Sequence, residues 1–192
     1  MKKNNTHNGY LTGRLLLSSP EQSNNMFNKS CILICAHDKS GAMGLILNKY
    51  ETKLTLNELL MQIEMANTDA DSNNPRIYMG GPVNIEQGFI LHDTTYKEKE
   101  TANINELFNV TTTINILQKI ARNKGPKQCK IALGHVGWSK GQLEQEIKHN
   151  LWLTLPATKE VVFSNKCDTM WYTILNKNGI MPSKISYHEG LA

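Results

Sequence analysis

The chain has 192 residues and a formal net charge of +4, and 40% of its residues are hydrophobic. This is enough for one buried core, and no linker rich in Pro, Gly or Ser divides the sequence. We therefore expect a frayed segment over residues 1–9 and a single domain over residues 10–192. The apolar run Leu15 to Leu17 is too short for a signal peptide, and no later segment is long enough to span a bilayer. The sequence predicts a cytoplasmic protein without a membrane anchor.

The first third of the chain predicts a hairpin and a capped helix. Apolar runs over residues 31–36 and 43–47 flank a turn that contains glycine, as in two paired strands. Thr55 and Glu58 then form a capping-box pattern at the start of a helix. The apolar stripe of this helix consists of Leu56, Leu59, Leu60 and Ile63. A polar loop follows over residues 67–75, and we expect it to be the most mobile part of the domain.

A second glycine turn, Gly80-Gly81-Pro82, joins strands predicted over residues 76–78 and 89–92. A helix follows, with Ile114, Leu117 and Ala121 on its apolar stripe. The densest basic run comes at the end of this helix, where cations complement the helix dipole. It consists of Lys119, Arg122, Lys124, Lys127 and Lys130.

The third glycine-rich segment, residues 134–141, lies between a strand predicted over residues 130–136 and a helix expected to begin near Lys140. Ser139 fits the N-cap of that helix, and Gln142 completes a capping box.

The last part of the chain completes the predicted core. Apolar runs over residues 152–155 and 161–163 are followed by a helix over residues 170–175. Gly179 is expected to stop that helix. The sequence contains no internal repeat.

The glycine turns and their neighbours form one pattern along nearly the whole chain. Its members are Gly13-Arg-Leu-Leu-Leu17, Phe27, His37, Gly41-Ala-Met-Gly44, Asn48-Lys49, Gly80-Gly-Pro82, Gly88-Phe-Ile-Leu-His92, Ala132-Leu-Gly134, Gly141-Gln-Leu-Glu144 and Trp152. In these positions the sequence resembles the YqgE/AlgH family of small bacterial proteins. The resemblance implies an α/β fold of the α+β type, with one compact domain whose irregular, mostly antiparallel sheet folds towards a partial barrel and is flanked by helices. It implies no agreed activity, substrate or cofactor, although one branch of the family has been called a transcriptional regulator.

A hydrolase motif provides an alternative function. Residues 137–141 match G-x-S-x-G, the nucleophile elbow, and Asp168 and His188 follow Ser139 in the order of an acid and a base. The chain after the turn lacks the alternating strands and helices that a doubly wound hydrolase sheet needs. Family members can also carry glutamate at the position of Ser139. We therefore interpret Ser139 as a helix cap and predict no catalytic residue, with a hydrolase that uses Ser139 or a pocket histidine as the alternative.

The cysteines favour buried thiols over disulfides or a zinc site. Cys31 and Cys35 share a strand, where four residues span roughly 13 Å, and a disulfide needs Cα atoms within about 7 Å. Cys129 and Cys167 have no C-x-x-C partner.

The histidines His37, His92 and His135 could bind a metal only if the fold brought them together. A lone histidine at a strand end more often bonds a carbonyl or faces water, so we predict no metal site and no cofactor.

The charge is thinly spread, and the sequence has no helix-turn-helix, zinc-finger or RNP motif. Neither nucleotide-binding fingerprint, G-x-x-x-x-G-K-[ST] or G-x-G-x-x-G, occurs. We therefore predict a non-enzymatic binding or regulatory protein that acts on transcription, if at all, through another protein. A groove between the glycine turns is the candidate site for a small anion, a peptide or a protein partner, and the oligomeric state stays open. The groove consists of Gly80, Gly81, Pro82, His135, Trp138 and Lys140.

Overall fold

The computed structural model describes residues 9–20, 26–62 and 75–181. Ten strands lie in these ranges: β1 Arg14–Ser18, β2 Cys31–Asp38, β3 Gly41–Ile46, β4 Tyr50–Thr55, β5 Arg76–Met79, β6 Val83–Asp93, β7 Ala102–Asn103, β8 Phe108–Thr111, β9 Cys129–Ser139 and β10 Trp152–Pro156. Five helices accompany them: α1 Leu56–Gln62, α2 Asn115–Ala121, α3 Gln142–Lys148, α4 Lys159–Val162 and α5 Cys167–Lys177. Four sets of residues used in the predictions lie outside the described ranges: residues 1–8, Ile63, residues 67–74 of the predicted loop, and His188.

The sheet runs in the order β10-β1-β2-β3-β9-β6-β8-β7, with the pair β4-β5 attached to β9. Every described pairing is antiparallel except that of β5 with β9. The sheet curls into a half-barrel, and the whole forms one compact α+β domain. The expected fold class is confirmed.

Both faces of the sheet are covered. Along β1, Leu15 and Leu17 join one core cluster with Phe108 and Trp171, whereas Leu16 joins a second cluster on the opposite face with Trp138. Alternate side chains of a strand point to opposite faces, so a strand covered on both faces needs an uninterrupted apolar run. This explains the three consecutive leucines.

Three of the predicted local signals at turns and helix ends are confirmed. The strands β2 and β3 form the expected hairpin, with Asp38 opposite Gly41. The amide and hydroxyl of Thr55 both donate to the Glu58 carboxylate, and the Glu58 amide donates back to the Thr55 hydroxyl. Helix α5 ends before Gly179, whose φ of +66° suits glycine.

The glycine segment before α3 differs from the prediction. Strand β9 continues to Ser139 because β3 pairs with its second half, from Val136 to Ser139. Helix α3 therefore begins at Gln142, with Gly141 as its N-cap, and not near Lys140. The predicted Ser139 pairing with Gln142 still forms, since the Ser139 amide and hydroxyl both donate to the Gln142 side-chain oxygen.

Two predictions about the basic helix are wrong. Ile114 precedes α2 and is 49% exposed, while the helix buries Ile116 and Ile120. Lys130 lies in strand β9, as the strand predicted over residues 130–136 implies, so its assignment to the basic run at the helix end is wrong, and it is only 2% exposed. Pairing with β5 and β6 on its two edges carries this part of β9 through the centre of the sheet.

None of the described helices is long and apolar enough to cross a membrane.

Candidate functional site

The two glycine segments Gly80-Gly81 and Gly134 meet where the chain crosses over β9. Strands β5 and β6 pair with opposite edges of β9. Ile131 of β9 lies opposite Ile77 of β5 on one edge and opposite Ile90 of β6 on the other. The connection between β5 and β6 must therefore pass over β9. The Gly80 amide donates to the Leu133 carbonyl at 2.8 Å.

Main-chain atoms fill this crossing. A Cβ atom on Gly80 would lie 2.2 Å from the Gly134 carbonyl oxygen, and one on Gly81 would lie 2.2 Å from the His135 carbonyl carbon. A Cβ atom on Gly134, where φ is +69°, would lie 2.3 Å from the Gly81 oxygen. The glycines are required for close packing of two backbones.

The remaining residues of the candidate groove lie in different surroundings. His135 is half-buried beside Phe89, with ring centroids 5.4 Å apart. Trp138 belongs to the core on the opposite face of β9, where its indole N–H donates to Glu146 at 2.8 Å. Lys140 is exposed in the turn before α3. The structure thus brings Gly80, Gly81 and His135 together but not Trp138 or Lys140, and Pro82 lines a separate cavity of about 480 Å³. That a ligand binds at this groove remains a prediction.

The Ser139 hydroxyl donates to Gln142 at 3.1 Å, and in the described part of the chain no histidine contacts it. Asp168 lies in the first turn of α5, and His188 is outside the described residues. The N-cap of α3 is Gly141, so the prediction of Ser139 as the helix cap is wrong. Ser139 also lacks the contacts of an activated nucleophile.

The three histidines considered as metal ligands have three separate sets of partners. His37 accepts a hydrogen bond from the Leu11 amide at Nδ1 and contacts Glu144 through Nε2 at 3.0 Å. His92 is fully buried, and its Nδ1 donates to the Asp93 carbonyl. Within the described ranges, no group of three His, Cys, Asp or Glu side chains is arranged to hold a metal ion.

A cavity of about 740 Å³ lies elsewhere, where β5 and β9 begin side by side. It is lined by Pro75, Arg76, Tyr78, Ile120, Asn123, Gly125, Pro126, Lys127, Gln128, Cys129, Phe163 and Asn165. The size is within the range of small-molecule sites. Two of these side chains are cationic, and none of the described lining residues is Asp or Glu. The cavity is thus suited to an anion.

Contacts on two sides fix the Arg76 guanidinium at the cavity. Its Nη1 donates to the main-chain oxygen of Asn165 at 3.0 Å. The group also lies over the Tyr50 ring, 4.6 Å from the centroid. A planar guanidinium held in this way presents its other N–H groups in a fixed fork, the geometry that binds carboxylate or phosphate.

A third cation lies behind the cavity wall. The Lys130 ammonium is 3.7 Å from the centroid of the Tyr78 ring and donates to the Ser164 carbonyl at 2.8 Å. Burial lowers the pKa of Lys130 to about 8. Burial also raises the pKa of the Tyr78 hydroxyl, which donates to the Asn165 side-chain oxygen at 3.3 Å. A buried lysine held by a ring and a single carbonyl makes this wall more positive when it is protonated.

Asp93 fixes the main chain at Gln128, one of the lining residues. One of its carboxylate oxygens accepts the Gln128 amide at 2.9 Å, and the other accepts the Thr95 amide at 2.8 Å. Burial alone would raise the pKa of Asp93, but these donors outweigh it and the pKa is lowered. The charge of Asp93 is thus used in holding the main chain around Gln128.

Comparison with known proteins agrees with this fold. A family model described as AlgH-like matches residues 15–183. This chain belongs to the AlgH-like family. A UPF0301 protein of Methylocella silvestris is 38% identical, over 97% of this chain and 94% of the relative. A UPF0301 protein of Ruegeria pomeroyi is also 38% identical, over 95% of this chain and 99% of the relative.

Two solved structures are similar to this AlgH-like chain. The solution structure of the AlgH protein from Pseudomonas aeruginosa is 30% identical, with a TM-score of 0.76 and full coverage of both chains. An X-ray structure of a protein from Corynebacterium diphtheriae has a TM-score of 0.71 over 97% of this chain and 95% of that one. At 18% identity the second match shows the fold alone. The family resemblance inferred from the glycine pattern is confirmed.

Sequence reasoning missed the cavity of this AlgH-like domain because its lining comes from three separate parts of the chain. These are residues 75–78, 120–129 and 163–165. One signal was available. Lys130 shares a strand face with the buried Ala132, so a lysine stands where the alternation of β9 calls for an apolar residue.

Proposed function

We propose that this AlgH-like protein is a non-enzymatic binding or regulatory protein whose ligand is a small anion, bound in the cavity between β5, α2 and the segment after α4. The ligand-bound protein acts through a protein partner and not by direct contact with DNA. One branch of the family has been called a transcriptional regulator, and any such effect of this chain would then be indirect.

The observation that carries the proposal is the charge of the cavity. Arg76 and Lys127 line it, Lys130 lies behind its wall, and no carboxylate is among its described lining residues. Like charges that are not neutralised by protein partners attract a counter-ion, and low-dielectric walls strengthen this attraction. Ser139, the candidate nucleophile of a hydrolase, lies outside this cavity and lacks the contacts of an activated nucleophile. This favours binding over hydrolysis.

Calorimetric titration with citrate, pyrophosphate and inorganic phosphate tests the proposal. At least one of these anions should bind, and Lys127→Gln should weaken its binding by roughly 10- to 100-fold, because a hydrogen bond to a charged group contributes about 1.5–3 kcal/mol. Lys148→Gln is the matched control, since it removes the same charge from an exposed position on α3. Absence of binding by all three anions, or equal losses in the two variants, would overturn the proposal.

A further inference from the structure

The cavity is larger than a bare inorganic anion requires. Its volume of about 740 Å³ is typical of sites that enclose an organic molecule. Arg76 and Lys127 can neutralise a dianion, but they account for only part of the lining. The rest of the ligand must therefore suit the other side chains.

Three of the other ten lining residues carry side-chain amides, which are the most frequent polar side chains among them: Asn123, Gln128 and Asn165. The Asn165 side-chain oxygen accepts the Tyr78 hydroxyl, which orients the amide and leaves its NH2 group as a donor. The main-chain amide of Gln128 is tied to Asp93, so the exposed Gln128 side chain starts from a fixed backbone position. Amide groups both donate and accept, and this capacity matches hydroxyl groups better than it matches an apolar body.

The two aromatic rings in the described lining, Tyr78 and Phe163, give little stacking surface. Tyr78 is 3% exposed, and the Lys130 ammonium covers one face of its ring. Phe163 is half-buried and packs edge-on against Phe108, with centroids 5.9 Å apart. A flat aromatic ligand therefore gains less here than a hydroxylated one.

We propose that the ligand is a phosphate monoester of a hydroxylated compound, with its phosphate on Arg76 and Lys127 and its hydroxyl groups on the amides of Gln128 and Asn165. This inference rests on the proposed function, because it names the ligand class of the same cavity. A free sugar phosphate and the ribose phosphate part of a nucleotide share this chemistry.

The test is a set of calorimetric titrations with ribose 5-phosphate, ribose, inorganic phosphate, citrate and adenosine 5′-monophosphate. Ribose 5-phosphate should bind at least about tenfold more tightly than either inorganic phosphate or ribose, since each half of the molecule adds contacts. Adenosine 5′-monophosphate that binds as tightly as ribose 5-phosphate would indicate that the base lies outside the cavity. Much tighter binding of the nucleotide would overturn the preference for a hydroxylated body over an aromatic one.

Variants assign the two halves of the ligand to the two sets of residues. Arg76→Lys keeps the charge but removes the fork, and it should weaken ribose 5-phosphate by about tenfold. If this variant does not fold, Lys127→Gln replaces it, because no described contact holds the Lys127 side chain. Gln128→Ala should reduce the preference for ribose 5-phosphate over inorganic phosphate and leave the binding of inorganic phosphate unchanged. Lys148→Gln again serves as the control.

The outcomes separate this inference from the proposed function. Equal affinity for inorganic phosphate and ribose 5-phosphate, or tightest binding of citrate, would overturn the ligand class and leave an anion-binding protein. A Gln128→Ala variant with an unchanged preference would refute the role of the amides. Failure of every anion to bind would overturn both.

Discussion

Replacement of Gly134 by Ala should destabilise the domain far more than replacement of Gly141 by Ala. Both glycines have a left-handed φ, +69° and +76°, and an L-residue in this conformation costs about 1–2 kcal/mol. They differ in surroundings. A Cβ atom on Gly134 would lie 2.3 Å from the Gly81 oxygen and 3.1 Å from the Val83 oxygen, whereas one on Gly141 meets nothing within 4 Å. Forcing an atom into a packed site costs a further 1–3 kcal/mol, roughly. We therefore expect losses of about 2–5 kcal/mol for Gly134→Ala and about 1–2 kcal/mol for Gly141→Ala.

Urea unfolding followed by tryptophan fluorescence measures both losses. The three tryptophans, Trp138, Trp152 and Trp171, are each at most 5% exposed, so unfolding changes their environment. A shift of the midpoint at constant slope reports stability alone. Equal losses for the two variants, within about 0.5 kcal/mol, would refute the close approach of the two backbones at the crossing, because that approach is the source of the extra cost expected at Gly134.

Three further predictions concern other parts of the domain. Glu146→Ala should lower the free energy of unfolding by about 2–4 kcal/mol, since it leaves two buried indole N–H groups unpaired. The control Glu100→Ala, at an exposed position, should lower it by less than about 0.5 kcal/mol. Equal urea midpoints for the two variants would contradict this. Lys130 has a pKa of about 8 in the folded state against 10.5 when unfolded, so between these values the unfolded chain binds the extra proton and the contribution of Lys130 to stability rises with pH. The difference in free energy of unfolding between the wild type and Lys130→Met should rise by roughly 1 kcal/mol per pH unit. A difference that stays constant from pH 8 to 9.5 would show that Lys130 is not buried. Burial raises the pKa of Cys129 to about 11, and the other three cysteines are buried. A disulfide reagent at pH 8 should therefore label Cys129 roughly a hundredfold more slowly than an ordinary thiol, and fast labelling of any thiol in the folded protein would contradict this prediction.

Local features of the fold could be predicted from the sequence because a few adjacent residues determine them. The capping box at Thr55 depends on a side chain three residues away, and the stop at Gly179 depends on one residue that tolerates a left-handed φ. The curled sheet came from the resemblance to a family and not from periodicity. Strands covered on both faces, such as β1, lose the alternation that would reveal their orientation.

The errors arose where distant segments decide the structure. The extension of β9 to Ser139 depends on pairing with β3, about a hundred positions earlier. The burial of Lys130 likewise depends on Tyr78 and Ser164, neither of which is near it in sequence. The cavity could not be predicted for the same reason, since no single segment contains enough of its lining to form a motif.

The place of β9 in the sheet has a consequence for how the protein is made. Strands β3, β5 and β6 all pair with β9, yet they precede it in the chain and would emerge first during synthesis. Until residues 129–139 leave the ribosome, these three strands have no partner along the edges that β9 later fills. Unpaired strand edges are templates for aggregation, and long-range pairing slows folding. The growing chain is therefore most in need of chaperone protection between the synthesis of β3 and that of β9.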